Sequence, residues 1–203
     1  MLVMGLDEAG RGSVLGPMVV GAFVVEESRI PEIKATGATD SKKLSRKRRE
    51  KLVVTLGAIG TSAVREISAA AIDAGNLNTL EEEVFVELIR TYRPDTVIID
   101  APCHPAGIPA FKKRLLAQLE HSPTLVVEPK ADLNYPPCSA ASIFGKVRRD
   151  HCIDALGAVG SGYPSDPKTR TWIKGWMERG EPFPDCVRTR WGTIEALAQE
   201  RSG

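Results

Sequence analysis

The sequence predicts an α/β protein in which a mixed sheet carries helices on its faces. Two short, valine-rich runs open the chain, Leu2 to Leu6 and Met18 to Val25. Two later β-branched runs, Thr96 to Ile99 and Thr124 to Val127, alternate with segments of helical length and periodicity. No repeat, low-complexity tract or Gly/Ser linker divides the 203 residues. At 42% hydrophobic they can fill one core without staples.

Each element has its own signal. Leu2 to Leu6 and Met18 to Val25 are short and apolar enough for buried strands. Gly10 to Pro17, rich in glycine, turns between them in the manner of a hairpin. Ser45 is positioned to cap a helix over Arg46 to Leu56. Ser62 to Ile67 predicts a third strand. Asn78 or Thr79 is expected to cap a helix that runs to about Tyr92. Glu81, Glu82 and Glu83 would then lie in its first turn, where acids suit the helix dipole. Pro94 ends that helix, and Thr96 to Ile99 leads into Asp100. Phe111 to His121 is an amphipathic helix, and Ser139 to Leu156 a long one with small residues at its start. From Pro164 onward, helical pieces are broken by Gly180, Pro182 and Pro184.

Composition excludes several classes. A charged fraction of 26% fits neither a disordered chain nor a membrane bundle. The longest apolar stretch, Val14 to Val25, is too short to span a bilayer and is interrupted by Gly16, Pro17 and Gly21. The opening residues have no basic region and no cleavage site, so no signal peptide is expected. Cys103, Cys138, Cys152 and Cys186 form no CxxC pair, which excludes a zinc knuckle and speaks against a disulfide framework. A cytoplasmic, reducing setting is expected. His104, His121 and His151 lack ligand spacing. Net charge is +1, but Lys42 to Lys51 holds seven bases and one acid, Glu50. Such a stretch is either a solvated helix face or a phosphate-binding one.

Four carboxylates stand out by position. Asp7 and Glu8 end the first apolar run, Asp100 ends another, and Asp132 follows a third. Sites in open α/β sheets form outside the carboxyl ends of strands. Clustered acids repel one another unless cations relieve them, and hard oxygen donors suit Mg²⁺ or Mn²⁺. Two such ions would make the clamp used for phosphodiester cleavage. Singly, an acid at a strand end is as readily a turn residue or a helix cap. Adjacent Asp7 and Glu8 should also point to opposite faces, so joint ligation calls for a bend, which Gly10 and Gly12 permit. Gly10-Arg11-Gly12 would bring backbone amides close to a phosphate or sugar, with Arg11 adding charge, or would simply turn the chain. Tyr163, in Gly160-Ser-Gly-Tyr163-Pro, could stack on a sugar or base or be an ordinary loop aromatic.

Together these blocks resemble ribonuclease HII, and its archaeal branch in particular. The matching segments are Asp7-Glu-Ala-Gly-Arg-Gly12 with Gly16-Pro17, Asp40-Ser-Lys-Lys-Leu44, Asp100-Ala101 and Lys130-Ala-Asp132. They continue with Ser139-Ala-Ala-Ser-Ile143, Lys146-Val-Arg-Arg-Asp150, Gly160 to Pro167, and Val187-Arg188 with Trp191. They run in order over nearly the whole chain. Ser13 departs from the proline or cysteine usual after the Gly-Arg-Gly turn, and Gly145 stands where alanine is common.

The resemblance implies a ribonuclease H-like fold: a five-stranded mixed sheet flanked by helices, with residues 160–203 or so as a helical extension packed on a single catalytic domain spanning 1–203. It implies endonucleolytic cleavage of RNA in RNA–DNA hybrids and 5′ of a ribonucleotide embedded in duplex DNA, leaving 3′-hydroxyl and 5′-phosphate ends. The catalytic and metal residues would be Asp7, Glu8, Asp100 and Asp132, holding two Mg²⁺ or Mn²⁺ ions. Substrate would be bound by Gly10, Arg11, Gly12, Lys42, Lys43, Arg46, Ser139 and Tyr163. A monomer without membrane contact is expected, and no clamp-binding tail is evident in Gln199 to Gly203. Other two-metal nucleases of this fold, ribonuclease HIII-like or resolvase-like, are the nearest alternatives. A non-catalytic hybrid-binding module is a remoter one, since a phosphate binder gains nothing from clustered acids.

Overall fold

A computed structural model describes residues 1–39 and 41–202, without the side chains of Lys42, Arg201 and Ser202. Asp40 and the Lys42 side chain, both within the Asp40–Leu44 block, lie outside the described residues. In chain order the elements are β1 (Leu2–Ala9), β2 (Met18–Glu26), α1 (Ile30–Ala35), α2 (Arg46–Gly57), β3 (Thr61–Ile67), α3 (Ala69–Ala74) and α4 (Leu77–Tyr92). There follow β4 (Thr96–Asp100), α5 (Ile108–Ala117), β5 (Thr124–Glu128), α6 (Ala131–Asn134), α7 (Pro136–Asp154), α8 (Pro167–Arg179) and α9 (Gly192–Ser202).

The sheet order is β3-β2-β1-β4-β5. β1 pairs antiparallel with β2 and parallel with β4, and β4 pairs parallel with β5. β2 is buried from Met18 to Val25 because both of its faces are covered. Val20, Ala22 and Val24 meet Phe85, Leu88 and Ile89 of α4, while Phe23 and Val25 belong to a second core with Leu52, Leu56 and Phe144.

α7 lies unusually close to the sheet. A Cβ on Gly5 would stand 2.2 Å from the Pro137 carbonyl, and one on Gly21 would stand 2.2 Å from Ala141 O. No side chain fits at either point. Gly145 is different: a Cβ there would come no nearer than 3.4 Å to Gly21 N, so an alanine is accommodated.

Several boundaries differ from expectation. β1 continues through Ala9, so Asp7 and Glu8 lie inside the strand. α7 begins at Pro136 rather than Ser139, since prolines are well suited to a first turn. Asn76, not Asn78 or Thr79, caps α4: its Oδ1 accepts from both of those residues' amides. The first turn of α4 therefore holds no acid. Glu81 and Glu82 are buried instead, and Glu82 accepts from Arg114 at 2.9 Å and Gln118 at 2.9 Å. The short helices α1, α3 and α6 carry too little periodicity to be seen in the sequence.

Residues after Tyr163 fold back over the Gly-rich connection. Gly16 N donates to Cys186 O at 2.7 Å, and Arg188 N donates to Val14 O at 2.9 Å. Val14, Leu15, Ile153, Ile173, Val187 and Leu197 form a third core between α7, α8 and α9.

Candidate active site

Because β1, β4 and β5 run parallel, their carboxyl ends emerge at one edge. Asp7 follows the Leu6–Ile99 pair, so it stands beside Asp100. After β5, Lys130 adopts a left-handed conformation at φ +63° and turns the chain into α6, whose second residue is Asp132. Ala131 N donates to Asp100 Oδ1 at 3.1 Å, tying that turn to the end of β4.

Asp7 is buried and receives Glu8 N at 2.8 Å. Burial first, then the charges of Asp100 and Asp132, push its carboxyl up to about 7, against the pull of a Ser142 hydrogen bond. Glu8 is raised well above the ordinary carboxylate range, again by burial first, then by Glu81 and Asp7. Its Oε2 is buried with no hydrogen-bond partner among the described residues.

The strand does not bend between the two acids. Pairing continues through Asp7–Gly21, Glu8–Val20 and Ala9–Val19, and the turn comes only at Gly10, φ +82°. Asp7 meets Ser142 of α7, and Glu8 meets Glu81 of α4. The acids straddle the sheet edge and reach one cavity from its two sides. Among the described residues, no three His, Cys, Asp or Glu side chains stand close enough to ligate one ion as they are.

That cavity, about 440 Å³, brings together Asp7, Glu8, Gly10, Arg11, Gly12, Asp100 and Tyr163 from the expected set. It adds Ser41, Ser142 and Lys146, which sequence reasoning missed. The available signal was the spacing: Ser142 and Lys146 are four residues apart on one helix face. Ser41 Oγ and Ser142 Oγ are 2.9 Å apart. Lys146 is half-buried, its ammonium pKa lowered by burial, and donates to Asp150 at 2.5 Å.

Other expected residues lie outside the cavity wall. Asp132 is buried, near enough for its charge to raise Asp7. Ser139 is buried too, and its hydroxyl donates to Asp132 O, fixing the junction of α6 and α7. Lys43 and Arg46 are exposed, and Arg46 is paired with Glu50 at 3.1 Å and with Asp154.

Sequence-distant glycines meet beside the acids. Val14 N and Leu15 N both donate to Gly162 O, at 2.9 and 3.1 Å. Gly162 has φ +79°, and a Cβ there would meet Arg149 Nη2 at 2.8 Å. Ser13 Oγ lies 2.8 Å from Gly162 O and accepts from Arg149 Nη2 at 2.8 Å, so the serine stitches the two loops together. The Arg149 guanidinium also covers the Tyr163 ring, 4.5 Å from its centroid.

Arg188, fully buried, donates to the carbonyls of Gly16 at 3.1 Å, Arg11 at 2.9 Å and Gly10 at 2.8 Å. Burial brings its pKa down to about 10. The Arg11 side chain does not reach into solvent for a phosphate: its two terminal nitrogens donate to Glu81 and to Asn78. Gly12 is exposed, and a Cβ on it would meet nothing within 4 Å.

Asp7, Glu8 and Asp100 thus line one cavity with the glycine turn and Tyr163. The family model for ribonuclease HII matches residues 4–194. The chain belongs to the ribonuclease HII family. The ribonuclease HII of Thermococcus onnurineus is 40% identical over 211 residues, covering 98% of this chain and 91% of that protein. The crystal structure of ribonuclease H2 from Pyrococcus horikoshii aligns over 100% of both chains with a TM-score of 0.90 and 37% identity. The ribonuclease HII of Archaeoglobus fulgidus, solved in complex with PCNA, aligns over 94% of this chain and 95% of its own, with a TM-score of 0.85 and 36% identity. The fold is thus ribonuclease H-like, with the mixed sheet, flanking helices and C-terminal helices expected. As a member of the ribonuclease HII family the chain is an endoribonuclease H, a hydrolase of a metal-dependent class acting on RNA–DNA hybrids, and not a mere binding module. No described helix is long and apolar enough to cross a membrane.

Proposed function

We propose that this ribonuclease HII cuts 5′ of a ribonucleotide embedded in duplex DNA, as well as within hybrid RNA, leaving 3′-hydroxyl and 5′-phosphate ends. The observation that carries the reading is the single cavity shared by acids, glycine turn and Tyr163. Asp7, Glu8, Asp100 and Asp132 would hold two divalent ions, Mg²⁺ or Mn²⁺. The residues suit that role: the donors are hard oxygens, Asp7 faces the like charges of Asp100 and Asp132, and Glu8 Oε2 is buried without a partner among the described residues. When bound, such ions supply an activated water and stabilise the leaving 3′-oxygen.

The chain's own residues do the rest. Gly12 leaves open space beside its backbone, so a ribose can approach the turn closely. A polar site built for the 2′-hydroxyl rejects a sugar that lacks it, because its own groups would be left unpaired. Tyr163, held by Arg149, would stack on the sugar at the RNA–DNA junction and orient the scissile phosphate. Lys146 offers a cation to a phosphate at the cavity wall. Lys42, Lys43 and Arg46 would hold backbone phosphates farther out, which positions a duplex without reading its sequence. Ser139 supports Asp132 from beneath.

We infer that residues 1–203 act as one catalytic unit, with 160–203 as its extension. Four free cysteines suit a cytoplasmic setting. The Archaeoglobus fulgidus relative supports a clamp partner.

The test is single-turnover cleavage, with and without Mg²⁺ or Mn²⁺, of a duplex with one ribonucleotide beside an all-RNA hybrid strand. Tyr163→Ala should lose about 100-fold on the single ribonucleotide, the scale of a positioning error of about 1 Å. Its duplex affinity should change far less, and Tyr163→Phe should be milder. Equal small losses on both substrates would make Tyr163 a packing residue and move junction reading elsewhere.

A further inference from the structure

Glu81 is a carboxylate that the cleavage scheme does not use. Its side chain is 1% exposed, it stands near Glu8, and its Oε1 has no hydrogen-bond partner among the described residues. Burying an acid beside a second acid is costly, so something must be gained. The other oxygen accepts from Arg11 Nη1, while Asn78 Oδ1, three residues earlier on the same helix face, accepts from Arg11 Nη2. A guanidinium presents its donors in a rigid plane, so two acceptors fix its orientation as well as its place. α4 itself cannot shift, because Phe85, Leu88 and Ile89 are locked in the core. From the other side, Arg188 holds the Gly10 and Arg11 carbonyls.

We propose that Glu81 and Asn78 are positioning residues: by clamping the Arg11 side chain they fix the peptide planes of the Gly10-Arg11-Gly12 turn and so set the preference for ribose over deoxyribose. The proposal rests on the turn reading the 2′-hydroxyl, and it assigns the Arg11 guanidinium to the scaffold rather than to a phosphate. Asn78 is exposed, so its substitution leaves the core untouched.

The test measures two quantities for wild type, Asn78→Ala, Asn78→Asp, Glu81→Gln and Arg11→Ala. One is the single-turnover rate on a one-ribonucleotide duplex. The other is the affinity for that duplex relative to an all-DNA duplex of the same sequence. Asn78→Ala should lower the rate and the affinity ratio by about 10-fold, the scale of one charge-assisted hydrogen bond, and Glu81→Gln, which keeps an acceptor oxygen but loses the charge, by a smaller factor. All-DNA affinity should stay unchanged, and Asn78→Asp, which keeps the acceptor oxygen, should be close to wild type. Adding Glu81→Gln to Arg11→Ala should cost nothing further, because the glutamate acts through the arginine. If Arg11→Ala lowers the ribose preference while Asn78→Ala and Glu81→Gln do not, the clamp is wrong and the turn reading stands. If Arg11→Ala leaves the preference intact, the clamp is wrong, while the backbone reading of the turn, whose carbonyls Arg188 still holds, stands. An undiminished Glu81→Gln effect in the Arg11→Ala background would overturn the clamp in favour of direct coupling to Glu8.

Discussion

The acid edge and the glycine turn share a cavity yet treat charge in opposite ways. At the edge, Asp7 and Glu81 are buried and Glu8 half-buried among like charges, and Glu8 Oε2 and Glu81 Oε1 have no partner among the described residues. At the turn, Arg188 is just as buried, but all three of its nitrogens donate to carbonyls and its plane lies over Trp191, 5.1 Å from the ring centroid. Orphaned buried polar atoms are rare and usually mark function. The edge keeps unmet capacity for something that binds, while the Arg188 side of the turn is closed and serves as framework; only Arg149 Nε, beside Gly10, is left unpartnered there among the described residues. Removing a charge from each should therefore have effects of opposite sign on stability.

Asp7→Asn gives the largest effect. Cleavage should fall by at least about 100-fold, the scale of losing one preorganised electrostatic group. Stability should rise, and the sign follows from the direction of the shift. An acid that titrates near 7 when folded and at 3.8 when unfolded loses stability as pH rises through that window. At pH 8 without divalent ions the loss is up to about 4 kcal/mol. The variant should melt several degrees above wild type there, and the gap should close toward pH 4. Thermal melts at both pH values check this; no gain at pH 8 would mean that neither burial nor like charge strains Asp7 in the folded protein.

Arg188→Gln should do the reverse. It leaves carbonyls of the turn without donors in a dry site, at about 3 kcal/mol. The melting temperature should fall by about 6–12 °C for a chain of this size, with little dependence on pH between 5 and 8. A loss under about 2 °C would show that the turn holds itself.

The smallest effect lies at the exposed basic stretch, which belongs to neither region. Replacing Lys42, Lys43 and Arg46 by Ala should weaken hybrid and plain duplex alike. Each true phosphate contact removed lowers the slope of log K against log salt by about 0.9 or less. Arg46 already has Glu50 and Asp154 as partners, so it should contribute least. An unchanged slope returns the stretch to an ordinary solvated face.

The acid edge was legible in the sequence because strand ends can be read locally. Asp100 ends a β-branched run, and parallel strands deliver their ends together. The glycine turn was legible only as a motif, and its framework was not legible at all. Arg149 sits in Lys146-Val-Arg-Arg-Asp150 and reads as one more surface base. Its burial comes from Ser13 and Ser161, the former 136 positions away. Arg188 likewise owes its burial to the carbonyls of residues 10, 11 and 16. The cap of α4 was misplaced because Asn76 and Asn78 are equally good capping residues in sequence, and only the first carries the extended backbone that capping needs.

Gly5 and Gly21 set a dimension as well as a packing contact. They let α7 settle on β1 and β2 at backbone contact, and α7 thereby brings Ser142 against Asp7 of β1 and Lys146 into the same cavity. The gap between the two layers therefore also sets how these groups stand to one another. One added carbon at either glycine would lift the helix by about 1 Å, a distance at which reacting groups fall out of alignment. Anything that swells the interior, such as heating or a bulkier neighbour, acts on the chemistry through the same gauge, so the tightness of this interface sets a tolerance for the active site.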